Sequence, residues 1–321
     1  MSRTTPFPAA SQVAQAGAAL LAAMLTVTLV ATFAAAALWQ QWRAVEVETA
    51  ERNRSQATWM LLGALDWSRV ILVEDARSTR NQPVDHLGEP WAVPLQEARL
   101  TTFLAAQKNV SQIDDGLTDM QDAFLSGQIT DLQSRLNLRN IINAPPDDAQ
   151  SLRPLTRLCQ RLGLPTSYAQ QIAQSLRSAA STTADGNVPL MPRTLAQLAW
   201  LGLPPQAVTR LEPYLVLLPE STPVNLNTAS AEVIWANSED LSWSQATQLV
   251  QMRASRPLRT LSDASRTLGL AKELSPSSYA VFTRYFEAYG RLRLGETVIS
   301  ERSTLYRNDL NVSTIWRERA D

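Results

Sequence analysis

The sequence has very few of the residues that build metal and redox sites. Its 321 residues include one cysteine, Cys159, and one histidine, His86. These single residues exclude an intramolecular disulfide, a thiolate zinc cluster and a multi-histidine metal centre. The 29 basic and 30 acidic residues nearly cancel. The chain therefore lacks both the strong positive charge typical of nucleic-acid binders and the acidic excess typical of disordered proteins.

Motifs that carry catalysis are also missing. The sequence contains no nucleophile motif, no Walker loop and no dinucleotide fingerprint. His86 follows Asp85, but sequence neighbours rarely face each other, so we interpret His86 as a loop histidine with an ordinary hydrogen bond. We interpret Cys159 as a small core residue on an amphipathic helix. We therefore predict a protein that is not an enzyme, with no catalytic residue, no cofactor and no metal ligand.

The first part of the chain is nearly free of charge. Arg3 is the only charged residue before Arg43, and residues 18–38 form an apolar run broken only by three threonines. A helix of this length spans about 30 Å, the thickness of the hydrocarbon core of a bilayer. Trp39 and Trp42 follow the run, and tryptophan favours the membrane interface. The pattern predicts a membrane-spanning helix.

Three interpretations of this helix are open. A cleavable secretory signal could be cut near residues 34–37, but its apolar region is normally shorter than this run. A permanent N-terminal anchor is the simplest alternative. The third is a prepilin-type signal, cut between Gly17 and Ala18, because a polar leader ends in glycine and the apolar segment begins at once. Such leaders usually carry basic residues near the glycine, and this one has only Arg3. We favour the third interpretation.

The helix is predicted to continue beyond the membrane as a stem over residues 18–74. No proline occurs between Pro8 and Pro83. An apolar series with spacings of 3, 4, 3 and 4 lies on one helix face. We predict that this face is the packing surface of the stem. Its residues are Ala57, Met60, Ala64, Trp67 and Ile71.

The rest of the chain divides into three parts. Residues 75–148 combine loops with short β segments, and alternation over 126–138 predicts one strand or two, with a slip at Gln133 and Ser134. Residues 149–275 are predicted helical, with two helices ending at Gly163 and Gly202. Residues 276–321 predict an antiparallel meander. The fold class is α+β: a long N-terminal helix packed on a small antiparallel sheet, with a large inserted all-helical subdomain.

Four segments together resemble the minor pseudopilin of the K class of the type II secretion system (GspK family). They are the Gly17–Ala18 junction and residues 85–91, 131–138 and 211–229, in that order along the chain. The resemblance implies a structural protein that supports export across the outer membrane. It also implies a leader of residues 1–17, removed by a prepilin peptidase at Gly17–Ala18, and methylation of the new Ala18 amine.

Pilin-like proteins normally carry glutamate as the fifth residue after the cut, and this sequence has Ala22 there. The K class is similarly without glutamate, so the resemblance implies a position at the tip of the pseudopilus. The implied partners are minor pseudopilins of the I, J and H classes, the inner-membrane assembly platform and the prepilin peptidase. The implied location is the bacterial inner membrane, crossed once, with most of the chain in the periplasm.

Many members of this family have an acidic loop associated with calcium, and here the corresponding stretch of residues 177–187 has Asp185 as its only acid. One carboxylate cannot supply the six to eight oxygen ligands that Ca²⁺ prefers, so we expect no calcium at this loop. Asp114, Asp115 and Asp119 offer an alternative, although a solvated polar loop is the simpler interpretation.

One competing hypothesis concerns residues 223–270, which also resemble a helix-hairpin-helix DNA module. Such modules bind phosphate through a glycine-rich hairpin. Here the hairpin, residues 236–241, has no glycine and two acids, so we expect no nucleic-acid partner. The alternative function is a membrane-anchored helix-hairpin-helix DNA-binding protein of a competence or pilus-like system.

Overall fold

The computed structural model describes residues 12–105, 123–145, 148–181 and 189–320. The chain forms two units, one ending at Gln56 and one beginning at Ala57. Helix α1, Gln12–Ser78, begins in the first and ends in the second. Every side chain from residue 17 to residue 50 is exposed, as expected for a segment that requires lipid or partners around it. The helix ends four residues beyond the predicted stem.

The second unit combines a sheet with a block of short helices. The helices after α1 are α2 (Leu100–Ala105), α3 (Arg139–Asn143), α4 (Ala149–Arg161), α5 (Ser167–Ala180), α6 (Pro205–Leu211), α7 (Ala231–Asn237), α8 (Trp243–Arg253) and α9 (Leu261–Thr267). The strands are β1 (Leu95–Arg99), β2 (Ala123–Asp131), β3 (Leu136–Asn137), β4 (Leu215–Val216), β5 (Val224–Asn225), β6 (Tyr279–Ala280), β7 (Tyr285–Leu294), β8 (Thr297–Asn308) and β9 (Asn311–Arg319).

The main sheet is antiparallel, with strand order β1-β2-β7-β8-β9. The predicted meander is confirmed as β7, β8 and β9, and its second turn places Asp309 at a φ of 51°. The predicted slip is also confirmed, because a 3-10 turn at Leu132–Ser134 separates β2 from β3. The chain leaves the sheet after β2 and returns at β7, so the helical block is an insertion between two paired strands.

The part of α1 in the second unit packs on this sheet through a leucine stripe that adjoins the predicted residues. Leu61, Leu65 and Leu72 are buried against the sheet with Ala57. Gly290 makes this contact possible, because a Cβ there would lie 2.7 Å from Leu61 Cδ1. The predicted residues Met60, Ala64, Trp67 and Ile71 are only half-buried beside it. The apolar arc is broad, and spacing alone does not say which edge of the arc faces the sheet.

The helical block has its own core, built from α3 to α9 and the connections between them. Gly163 and Gly202 have φ values of 65° and 86°, and they end helices as predicted. The helix before Gly202 is a 3-10 helix, Leu195–Leu201. The fold class predicted from the sequence is confirmed.

Candidate functional site

A buried ion cluster joins the end of α1 to the sheet. Arg307 on β8 donates from Nη1 to Asp75 Oδ2 at 2.8 Å, from Nη2 to Asp85 Oδ1, and from Nη2 to the Thr283 carbonyl at 3.0 Å. The three charged side chains are almost fully buried. Removing charges from water is costly unless they are paired and hydrogen-bonded. The pairing explains how these residues can lie inside the protein.

Glu89 adds a third carboxylate to this cluster. Oxygens of Asp75, Asp85 and Glu89 lie within 4.8 Å of one another. Glu89 Oε2 accepts from Trp91 Nε1 at 2.6 Å and from the His86 amide at 3.0 Å. Burial raises the pKa of Glu89 to about 7, and burial together with the Asp85 charge raises the pKa of Asp75 to about 6. Arg307 supplies the positive charge of the cluster. The cluster therefore attaches the end of α1 and the loop after it to strand β8.

A second polar network lies where the chain leaves the sheet. Asp131, at the end of β2, accepts from the Gln133 amide at 2.7 Å, from Asn225 Nδ2 at 2.9 Å and from the Thr228 hydroxyl. Asn225 Nδ2 also donates to the Asp85 carbonyl at 3.1 Å. The network therefore brings together three of the segments that carry the family resemblance, residues 85–91, 131–138 and 211–229.

Neither residue considered for catalysis forms a reactive site. His86 Nδ1 accepts from the Gly88 amide at 3.1 Å, and burial lowers the pKa of His86. Asp85 does not orient His86, because its carboxylate binds Arg307 and the Thr283 amide. Cys159 is buried in the helical core, where burial raises its thiol pKa to about 11. The acids considered for calcium, Asp114, Asp115, Asp119 and Asp185, lie outside the described residues.

The segment that resembles a DNA module packs against α4, and three arginines of α4 form the contact. Arg153 Nη1 lies 2.9 Å from Glu239 Oε2. The guanidinium groups of Arg157 and Arg161 lie 4.1 Å and 3.6 Å from the ring centres of Trp235 and Trp243. These arginines are four residues apart and share one helix face. Three cations on this face are thus engaged within the fold, and the DNA-module hypothesis is not supported.

The N-terminal positions all lie in α1. Gly17, Ala18 and Ala22 are helical, and Ala18 and Ala22 are exposed. Residues 17–78 form a helix long and apolar enough to cross a membrane. The threonines do not prevent insertion, because Thr26, Thr28 and Thr32 return their hydroxyl groups to carbonyls three or four residues earlier. This part of the chain fits a single-pass membrane anchor.

A shallow apolar cavity of about 270 Å³ runs beside the stem. Ala64, Trp67 and Ile71 form its helix wall, and Val93 and Pro94 lie on the other side. Ala64, Trp67 and Ile71 of the predicted packing face are thus partly available to a partner, whereas Ala57 is buried inside the protein.

Sequence reasoning did not identify the residues that attach the stem and the insertion to the sheet. Arg307 occupies a position of β8 that faces inward, two residues after the buried Leu305. Asp75 continues the buried stripe of the stem after Leu72. A charge at a core-facing position requires a buried partner. That signal was present in the sequence, although it does not identify the partner.

Related proteins cover most of the chain. Type II secretion system protein K of Pseudomonas aeruginosa is 28% identical over 305 residues, with 88% of this chain and 86% of that protein covered. The protein of the same name from Pectobacterium carotovorum is 25% identical over 342 residues, with 95% and 96% covered. A chain of the GspK-GspI-GspJ complex from enterotoxigenic Escherichia coli has a similar fold, with a TM-score of 0.64 and 17% identity, covering 85% of this chain and 98% of that chain.

The apolar N-terminal helix, its packing on an antiparallel sheet and the inserted helical block define a membrane-anchored, pilin-like subunit. The family described as type II secretion system (T2SS), protein K, matches residues 134–220 and 224–281. These matches confirm the prediction of a K-class minor pseudopilin of type II secretion. The family is a structural component of the secretion system.

Proposed function

We propose that this protein caps the tip of the pseudopilus together with other minor pseudopilins. The observation that carries the proposal is the helical block between β2 and β7. Residues 132–284 connect two strands that are direct neighbours in the sheet. A block of this size on one subunit would obstruct further subunits stacked above it, so growth would proceed from below. The solved complex of the similar chain contains GspI and GspJ, which supports I-class and J-class partners.

Ala22 supports the same position. A buried carboxylate at this point in a pilin-like helix would neutralise the terminal amine of the subunit above, since an unpaired charge inside a membrane or bundle is costly. A subunit with nothing above it has no amine to neutralise. We further propose an H-class partner, contact with the inner-membrane assembly platform, and an orientation in the inner membrane that places the body in the periplasm.

We propose that the apolar cavity beside the stem receives the stem of a neighbouring minor pseudopilin. The cavity residues Ala64, Trp67 and Ile71 are half-buried, and a second apolar helix would complete their burial. Small residues such as Ala64 allow close approach of two helices. The membrane anchor restricts neighbouring stems to nearly parallel directions, so a long shared surface is available.

Assembly tests this function. The full-length chain, co-expressed with the I-class and J-class proteins of its own system and purified in detergent, should form a stable complex. Trp67→Ala should weaken the complex about tenfold, since truncating a large apolar side chain at an interface costs about 1–3 kcal/mol. Trp59→Ala is the matched control, because Trp59 lies on the same helix and is 72% exposed. Absence of a complex with the unaltered chain would contradict the proposal.

Processing of the N-terminus forms a separate expectation. We propose that a prepilin peptidase cuts between Gly17 and Ala18 and that the Ala18 amine is then methylated. Intact-mass measurement after co-expression with the peptidase should show a chain that begins at Ala18 and carries one methyl group. Gly17→Val should leave the leader attached. A mature chain that begins near Leu38 would indicate an ordinary secretory signal and overturn this assignment.

A further inference from the structure

Strand β9 forms an unusually open edge of the main sheet. It has nine residues, and within the part of the chain that the structure describes it pairs only with β8. Seven of the nine are exposed, the exceptions being Val312 and Glu318. Proteins normally shorten, cover or bend such edges, because unpaired backbone groups bind other extended chains. A long exposed edge is therefore a candidate for pairing with a strand of a partner.

The backbone groups that face outward can be assigned. Ala320 donates its amide to Ser300, so this residue points its amide toward β8. Val312 points its carbonyl outward, where Arg69 Nε of the stem donates to it at 2.9 Å. The β8–β9 register shifts between Thr304 and Leu305, which leaves Ile315 as an extra residue. Successive backbone amides of a strand point to opposite edges. Counting from Val312 at one end and from Ala320 at the other therefore places the amides of Thr314, Arg317 and Arg319 on the outer side.

A groove adjoins this edge. Its volume is about 600 Å³, and it lies between the sheet and the loop that precedes the 3-10 helix Leu195–Leu201. Ile315 and Trp316 line the sheet side, and Met191 and Arg193 line the other side. The Arg193 guanidinium lies 5.2 Å from the Trp316 ring centre. Arg302 and Glu318 also line the groove, so an added strand would meet apolar, aromatic and charged side chains on one of its faces.

We propose that the outer edge of β9 binds an extended segment of another minor pseudopilin as an added strand. This inference rests on the proposed function, which supplies a partner of that class. The segment would place an apolar side chain against Trp316 and an acidic side chain opposite Arg317 or Arg319. A second copy fits less well, because two antiparallel β9 strands that pair through these outward groups set Thr314 and Val312 opposite these arginines, and neither is acidic.

The test uses the full-length chain in detergent with the I-class and J-class proteins of its own system. Thr314→Pro removes an outward amide without disturbing the pairing with β8, and it should weaken binding about tenfold. Thr314→Val keeps the amide and is the matched control, expected within about twofold of the unaltered chain. A photo-crosslinking residue at position 314 should react with one continuous segment of a partner. Arg319→Glu, which leaves the backbone intact, should also weaken binding.

The results separate this inference from the function it rests on. Unchanged binding of both Thr314→Pro and Arg319→Glu would overturn the edge proposal and leave the assembly intact. Crosslinks only to a second copy of the chain or only to a secreted protein would overturn it as well. Failure of the unaltered chain to bind any minor pseudopilin would contradict the proposed function itself.

Discussion

Arg307→Met lowers the free energy of unfolding by about 3–5 kcal/mol, since removing one partner of a buried ion pair leaves an uncompensated charge. Arg307 is the cation that binds Asp75 and Asp85 inside the protein. Methionine matches the length of the arginine stem but cannot donate to either carboxylate or to the Thr283 carbonyl. The end of α1 and the loop after it then lose their common attachment to β8.

Urea unfolding of the full-length chain in detergent, followed by tryptophan fluorescence, measures this effect. Arg291→Met is the matched control, because Arg291 lies on the adjacent strand β7 and is exposed. We expect its effect to stay below about 0.5 kcal/mol. Adding Asp75→Leu and Asp85→Leu to Arg307→Met should recover part of the loss, because apolar replacement of a whole buried ion group is often tolerated. If the Arg307→Met chain were as stable as the control, this would contradict the role of Arg307 in attaching α1 to β8.

The anchor and the meander could be predicted because each depends on a pattern that is local in sequence. Residues 18–38 are long and apolar enough to form a membrane helix whatever the rest of the chain does. Strands β7, β8 and β9 follow one another through short turns, so alternation and turn residues are sufficient to find them. The insertion of the helical block was also predictable, since a helical stretch separates two β regions.

The spacing of apolar residues does not predict which side of the stem helix faces the sheet. Leu61 and Leu65 face the sheet, whereas Ala64 and Trp67 lie beside it. Both stripes are apolar and have helical periodicity. Gly290, a residue more than 200 positions away, leaves room for Leu61 against the sheet. Only the paired strands show that this space exists.

The polar contacts were also beyond sequence reasoning, because each joins segments that are far apart in the chain. Residues 85–91, 131–138 and 211–229 are weak signals singly, and they resemble the family only when taken together in this order. Nothing in their sequences shows that Asp131 and Asn225 form a hydrogen bond across 94 positions. Family resemblance identified the segments, and the structure supplies the reason why they occur together.

The two polar networks share Asp85. Together they form the neck of the insertion, which is the place where the helical block joins the sheet. The Asp85 carboxylate binds Arg307, and its carbonyl accepts from Asn225. The chain leaves the sheet after Asp131 and returns through Thr283, whose amide donates to Asp85 at 2.8 Å. The end of the stem, the exit from the sheet and the return to it are therefore linked through one residue.

Asn225→Leu tests this neck and should destabilise the protein by about 2–4 kcal/mol, since it removes a donor from two buried acceptors, the Asp131 carboxylate and the Asp85 carbonyl. Asn225 is fully buried, and its Oδ1 also accepts from the Asn227 amide at 3.0 Å. Thr228→Val is the matched control, because it removes one hydroxyl from the same Asp131 carboxylate and should cost only about 1 kcal/mol. Urea unfolding measures both variants. Equal costs for the two would show that Asn225 contributes a single ordinary hydrogen bond and that the neck does not depend on it.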